Sequence, residues 1–279
     1  MTQHIIDAHV HIWDRSRGET FIAEKQFPSL TGKAFLPADL APVLAETGAE
    51  SAVLVHGPAT VEHALHCLDL CRAHEMFRAV VGWVDLRDPA CQAQLARQSA
   101  DPGFRGVRLT PLLDAAPEDY LRSAAARGAC AALQDSGALI EVLAPPPLFG
   151  AVAALARAHP ALPVVVAHFG LPDTDPGRFD GWHRAMAGLA ELDNIHVKIS
   201  GLPLTGEPAQ NDPMTQRHVA AMIRLFGAER LLYASNWPVA TALASPGYWR
   251  HRLDTALAEL DIPERDRQAL YHDTAARLY

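Results

Sequence analysis

Eight short runs rich in β-branched residues alternate along this chain with Ala/Leu/Arg-rich stretches of helical spacing, and no other feature restricts its possible folds as much. The runs are Ile5 to Ile12, Ala52 to His56, Ala79 to Leu86, Gly106 to Thr110, Leu139 to Leu143, Val164 to Phe169, Ile195 to Ser200 and Leu231 to Asn236. Helical periodicity fills the gaps, as over Ala38 to Thr47, Thr60 to Glu75, Tyr120 to Ser136, Pro147 to Ala158, Trp182 to Leu192 and Met214 to Phe226. Strands joined through helices must pair in parallel, because the chain crosses over before it returns. Eight such units in 279 residues predict an α/β protein, a single (β/α)8 TIM barrel spanning residues 1–279. Gly48, Gly137 and Gly227 stand just past helical stretches, where a left-handed residue is needed. The weakest unit is the third, whose helix falls within Arg87 to Ser99. Two longer loops, Asp14 to Phe35 and Gly201 to Asp212, follow the first and seventh strands and open on the same end of the barrel. Loops of that length serve binding or closure.

The first run carries the most chemistry. In I-I-D-A-H-V-H-I-W, Ile5 to Trp13, strand alternation puts Asp7, His9 and His11 on one face and Ile6, Ala8, Val10 and Ile12 on the other. Paired histidines can converge on a metal ion, a water or a substrate carbonyl oxygen. Residues near the C-terminal ends of barrel strands line the functional mouth. One alternation phase per strand predicts a polar ring there of His9, His11, His56, Asp85, Arg108, Glu141, His168, Lys198 and Asn236. A barrel core built only for packing would carry Val, Ile or Leu instead.

The roles differ by residue type. Arg108 offers a planar fork of donors for a substrate carboxylate, or an ion pair to Asp85 or Glu141. Lys198 polarises a carbonyl or pairs with Glu141, and His56 hydrogen-bonds substrate or caps a strand end. Asp7, one layer deeper, orients a neighbouring ring or pairs with a basic residue. Trp13 and Trp237 read as wall and packing residues, and Arg178 as a solvated loop residue or a group that closes over an anion.

Composition removes several classes of function. Hydrophobic residues make up 49% of the chain, enough for a sizeable core, and the net charge of -8 argues against nucleic-acid or anionic-membrane partners. No secretory leader pattern opens the sequence and no uncharged run approaches the ~18 residues that span a bilayer. A cytoplasmic protein is expected. Cys67, Cys71, Cys91 and Cys130 lack the spacing of a disulfide framework, and His63, Cys67, Cys71 and His74 read as one helix face with buried, reduced thiols rather than a zinc site. There is no phosphate-cradling loop, nucleophile elbow or dinucleotide fingerprint.

The segments D-A-H-V-H-I-W (7–13), G-W-V-D-L (82–86), G-V-R (106–108), A-H-F-G (167–170), K-I-S-G-L (198–202) and E-R-L-L-Y-A-S-N-W-P-V (229–239) resemble, in order, the amidohydrolase-related branch of the amidohydrolase superfamily. That branch includes pyrone-dicarboxylate lactonases, sugar-acid lactonases, decarboxylases and a galactarolactone isomerase. The resemblance implies that His9, His11, His168 and Asn236 form the catalytic set, with His56, Arg108, Glu141 and Lys198 around the substrate. Relatives commonly read Ser-Asp-Trp-Pro or Thr-Asp-Trp-Pro where this chain has Ser235-Asn236-Trp237-Pro238. Asparagine is not basic at neutral pH and brings no charge to neutralise a cation. The expectation is therefore a site that requires no cofactor, with a divalent metal such as zinc on His9, His11 and His168 as the alternative.

The leading expectation is a hydrolase that opens a small carboxylated lactone. Its rival is a lactone isomerase, in which a substrate hydroxyl attacks the carbonyl and Asn236, in place of a water-activating Asp, only positions groups. A third reading is a barrel that has lost its chemistry and serves as a binding or partner subunit. Retained buried polar groups argue against it. A homodimer fits the general symmetry of such barrels.

Overall fold

The computed structural model describes residues 4–173, 175–200, 202 and 208–279. Of the loop expected at 201–212, residues 201 and 203–207 lie outside the described residues, and a helix already begins at Pro208. The strands are β1 Ile6–Val10, β2 Ser51–Val55, β3 Phe77–Gly82, β4 Phe104–Leu109, β5 Leu139–Val142, β6 Val164–Val166, β7 Ile195–Ile199 and β8 Leu231–Tyr233. They form one parallel sheet in the order β1 to β8. The seam between β8 and β1 is drawn together just past the end of β8. There His11 N donates to Trp237 O at 2.8 Å, Asn236 N to His9 O at 3.1 Å and Ser235 N to the Asp7 carboxylate at 2.9 Å. The result is a nearly closed (β/α)8 barrel.

Alternation sorts the strand residues into two layers. Ala52, Leu54, Val80, Val107, Ile140, Val142, Val164 and Val197 point outward and pack under the helices. Val53, Val55, Ala79, Val81, Leu139, Val165 and Leu232 point into the barrel. The far end of the barrel is filled by Tyr279 and Ala275, which join this inner cluster. Such packing is what strands buried on both faces require.

Two sequence expectations change here. Ile6 and Ala8 belong to the inner cluster whereas Val10 and Ile12 belong to the outer one. The register of β1 against β2 shifts between Asp7, paired with Ala52, and Val10, paired with Leu54, so three steps on one strand oppose two on the other. This β-bulge breaks the period of two, sends Asp7 to the opposite side from His9 and His11, and keeps both histidines inside the barrel. Second, β3 ends at Gly82, and Asp85 sits in the following turn, where its carboxylate accepts from Arg87 N at 2.8 Å. Asp85 is thus not part of the polar ring, and Trp83, just past the end of β3, is the residue beside His56, at a ring separation of 6.4 Å.

Candidate active site

The strands deliver their polar residues at two depths. At the mouth, His11, His56, Arg108, His168, Ser235 and Asn236 line one side of a cavity of about 300 Å³. Beneath them, completely buried and outside the cavity wall, lie His9, Glu141 and Lys198. Glu141 and Lys198 form an ion pair in the barrel interior, the alternative that the sequence offered to a place at the substrate. Tyr279 OH donates to the same Glu141 oxygen at 2.6 Å. The pair answers the cost of burying either charge alone.

From this pair a directed chain of hydrogen bonds climbs to the mouth. Lys198 Nζ lies 3.2 Å from His9 Nδ1, His9 Nε2 lies 3.0 Å from His11 Nε2, and His11 Nδ1 lies 2.9 Å from Val55 O. An ammonium only donates and a carbonyl only accepts, so the ends of the chain fix its direction. His9 Nδ1 accepts from Lys198, His9 Nε2 carries hydrogen and donates to His11, and His11 Nδ1 donates to Val55. Both rings are neutral: burial first, then the positive Lys198 and Arg108, push their pKa values well below 6.5.

His168 is presented by an unusual backbone. β6 is only three residues long, and His168, Phe169, Gly170 and Leu171 then take left-handed φ values of 55°, 53°, 65° and 52°. For non-glycine residues such conformations cost about 1–3 kcal/mol each and cluster at functional sites. His168 Nδ1 shares a 2.8 Å hydrogen bond with Ser200 Oγ, which leaves Nε2 for the cavity. Burial and the Arg108 and Lys198 charges hold this ring neutral as well. Asn236 is also left-handed, at φ 58°, a conformation asparagine tolerates better than most residues.

Among the described residues, two buried polar atoms at the mouth have no hydrogen-bond partner: Arg108 Nε and His56 Nε2. Arg108 is 5% exposed, and burial brings its pKa down to about 10 despite the attraction of Glu141. His56 Nδ1 faces Pro58 O at 3.3 Å and must donate there, so its Nε2 is an open acceptor. A donor and an acceptor, both desolvated and unmatched, mark where a ligand's polar groups belong.

The loop after β1 folds over this floor. Backbone hydrogen bonds of 3.1 and 2.9 Å between Trp13 and Phe35 clasp its base, and Trp13, Phe21, Ala23 and Leu30 give it a small core of its own. Phe21 reaches over His11 at a ring separation of 4.8 Å. The loop is also tied to the helix Val61–Ala73, where Glu19 lies 3.1 Å from His63 Nδ1 and His63 Nε2 lies 3.3 Å from Cys67 Sγ. All four cysteines are free, as the sequence suggested. Trp13 and Trp237 are buried packing residues, and Arg178 is a surface residue paired with Asp173 at 3.3 Å. Sequence reasoning missed Ser200, Trp83 and Tyr279. Ser200 and Trp83 sit within the K-I-S-G-L and G-W-V-D-L segments, whereas Tyr279 carried no signal.

The amidohydrolase family model matches residues 6–279. The chain belongs to the amidohydrolase family. Within it, an L-fucono-1,5-lactonase of Burkholderia ambifaria is 34% identical over 236 residues, 84% of this chain and 80% of that protein. An amidohydrolase of Burkholderia multivorans, solved with bound zinc, superposes with a TM-score of 0.86 at 26% identity over 99% of this chain and 98% of that one. A putative 2-pyrone-4,6-dicarboxylic acid hydrolase of Pseudomonas putida gives 0.79 at 25% identity over 100% and 98%.

The zinc in one relative makes the donor chemistry of this family member worth testing. Among the described residues no group of three or more His, Cys, Asp or Glu side chains is arranged to hold a metal ion. His9 Nε2, which would have to offer a lone pair, carries the hydrogen given to His11. Among the described residues no carboxylate lines the cavity. The positive Arg108 and Lys198 oppose a proton on His9, His11 and His168, and they oppose a divalent cation for the same reason. The set does not fit a metal ion of the zinc type.

Proposed function

We propose that the protein is a lactonase that opens a small carboxylated lactone with water, without a metal cofactor. The observation that carries this reading is the buried Arg108 guanidinium, whose Nε has no hydrogen-bond partner among the described residues, together with the open acceptor of His56 and the neutral ring of His168. Kinship with proteins described as lactonases and pyrone hydrolases supports the same class.

The steps follow from the geometry. His168 Nε2, neutral and facing the cavity, takes a proton from water as the oxygen attacks the lactone carbonyl, and the negative charge that forms on the substrate beside Arg108 offsets the cations that hold the ring neutral at rest. Negative charge that develops on the carbonyl oxygen, or already resides on a substrate carboxylate, falls to Arg108, with the Asn236 amide as a second donor. Collapse breaks the bond to the ring oxygen, and His168 returns the proton to that leaving alkoxide. The product is a hydroxy acid: its carboxylate satisfies Arg108 and its hydroxyl donates to His56 Nε2. His9, Lys198 and Glu141 touch neither water nor lactone; they fix the tautomer of His11 from below.

Asn236 supports a second reading, because among the described residues no Asp or Glu lines the cavity to activate water in its stead. A substrate hydroxyl attacking its own carbonyl would then exchange one lactone ring for another. The deciding experiment is a pH-stat survey of lactone acids with the metal-free, chelator-treated protein. Acid release that disappears in His168→Ala supports hydrolysis; no acid release across the survey, with ring exchange by carbon NMR, overturns it.

A further inference from the structure

The cavity changes character between floor and rim. Among the described residues five large apolar side chains stand exposed, Ile22 at 44%, Leu36 at 37%, Leu112 at 45%, Leu113 at 48% and Leu243 at 47%, and all but Leu36 border the cavity. They come from three separate loops, those after β1, β4 and β8. Below them Phe21, Phe27, Leu143 and Leu171 continue the apolar wall down to the polar floor. Among the described residues no Asp, Glu or Lys lines the cavity, and above the floor the wall has only Gln26 and Thr110 as polar side chains. Thr110 Oγ1 is already engaged by Trp83 Nε1 at 3.2 Å.

Scattered exposed apolar residues need no explanation, but four converging on the entrance to one cavity do. A polyhydroxylated ring would lose a hydrogen bond to water for each hydroxyl turned toward this wall and regain few. An apolar group loses nothing there and removes the rim from water. The wall is concave and continuous with the floor, so what covers it is a part of the ligand that the floor holds.

We propose that the substrate lactone carries an apolar alkyl or aryl substituent, which runs from the polar floor outward between Ile22, Leu112, Leu113 and Leu243. This inference rests on the lactonase reading for its chemistry, and on the rim alone for its specificity. It separates this chain from relatives described as acting on the lactone of a sugar acid.

The test is a series of β-carboxy-γ-butyrolactones with γ-substituents from hydrogen to n-hexyl, assayed beside polyhydroxylated hexarolactones that carry the same carboxylate. Burial of each added methylene raises kcat/KM about fourfold until the chain clears the rim. The Leu112→Ser/Leu243→Ser double variant, at two nearly half-exposed positions the fold does not depend on, flattens that slope. A flat or falling series, or faster turnover of the polyhydroxylated lactones, overturns the inference. If no lactone of either kind is hydrolysed, the lactonase reading falls, and calorimetric binding of the ring-opened 3-carboxy-4-hydroxyalkanoates decides the inference separately. Affinity that tightens with chain length then upholds the apolar arm, and affinity independent of length overturns it.

Discussion

Replacing Arg108 by methionine should make the protein more stable and nearly inactive. The guanidinium is buried, its Nε has no partner among the described residues, and burial pushes its pKa down to about 10. That depression corresponds to about 3 kcal/mol of unfavourable free energy for holding the cation buried in the barrel. The attraction of Glu141, whose nearer partner is Lys198, offsets only part of the cost of burial. Methionine fills similar volume without charge, so Arg108→Met should gain ~1–3 kcal/mol, of which each kcal/mol raises Tm by roughly 2–4 °C in a chain of this size. The same change removes the donor for the developing oxyanion or substrate carboxylate, a loss of about 10²–10³ in kcat/KM. Urea denaturation followed by circular dichroism reads the first effect and pH-stat kinetics the second. A variant that is destabilised yet retains kcat/KM within about threefold would refute the reasoning, because Arg108 would then be a structural cation with a partner.

His9, His11, His56 and His168 are buried neutral, with folded pKa values well below the unfolded 6.5. Their contribution to stability is therefore present above pH 6.5 and lost as pH falls below it, by up to about 1.4 kcal/mol per pH unit for each ring. Asp7, raised by burial to about 6, works in the opposite sense below that pH and offsets part of one histidine. Urea midpoints measured between pH 8 and pH 5, at roughly half-unit steps, should fall steeply only on the acid side; a flat profile would show that the rings are already charged in the fold. Asp7→Ala should cost about 2–3 kcal/mol and lower kcat, since His9 N and Ser235 N both donate to this carboxylate, whereas Asp7→Asn, which keeps an acceptor oxygen, should restore most of both. Equal loss in the two variants would assign the effect to charge instead. Asn236→Asp should raise water attack relative to ring exchange, read as the ratio of hydroxy acid to isomeric lactone by NMR; an unchanged ratio removes Asn236 from the chemistry. Prolonged chelation followed by gel filtration should leave turnover intact, and a stoichiometric metal whose removal abolishes it would contradict the hydrogen assigned to His9 Nε2.

The architecture was legible because eight buried parallel strands must be apolar runs and the crossover helices must be amphipathic, and both patterns survive in one dimension. The polar ring was legible for the same reason: His56, Arg108, Glu141, His168 and Lys198 break runs that would otherwise be aliphatic. Alternation could not reveal depth, so it left open whether Glu141 and Lys198 meet the substrate or each other; they pair beneath His11. Nor could it reveal the bulge in β1, since a single extra residue leaves no mark on composition while it reverses the side to which Asp7 points. Asp85 was misplaced because β3 stops at Gly82 and a turn mimics the next alternation step. The apolar rim was silent: Leu112, Leu113 and Leu243 sit in short loops with no period, and only their convergence in space gives them meaning.

The most direct test of water attack is turnover of a lactone acid in oxygen-18 water, with uncatalysed opening subtracted and the product read by mass spectrometry. Hydrolysis at His168 and Arg108 predicts one heavy oxygen in the product carboxylate for each enzyme-dependent turnover. A re-formed ring without label would contradict it and assign the site to intramolecular exchange.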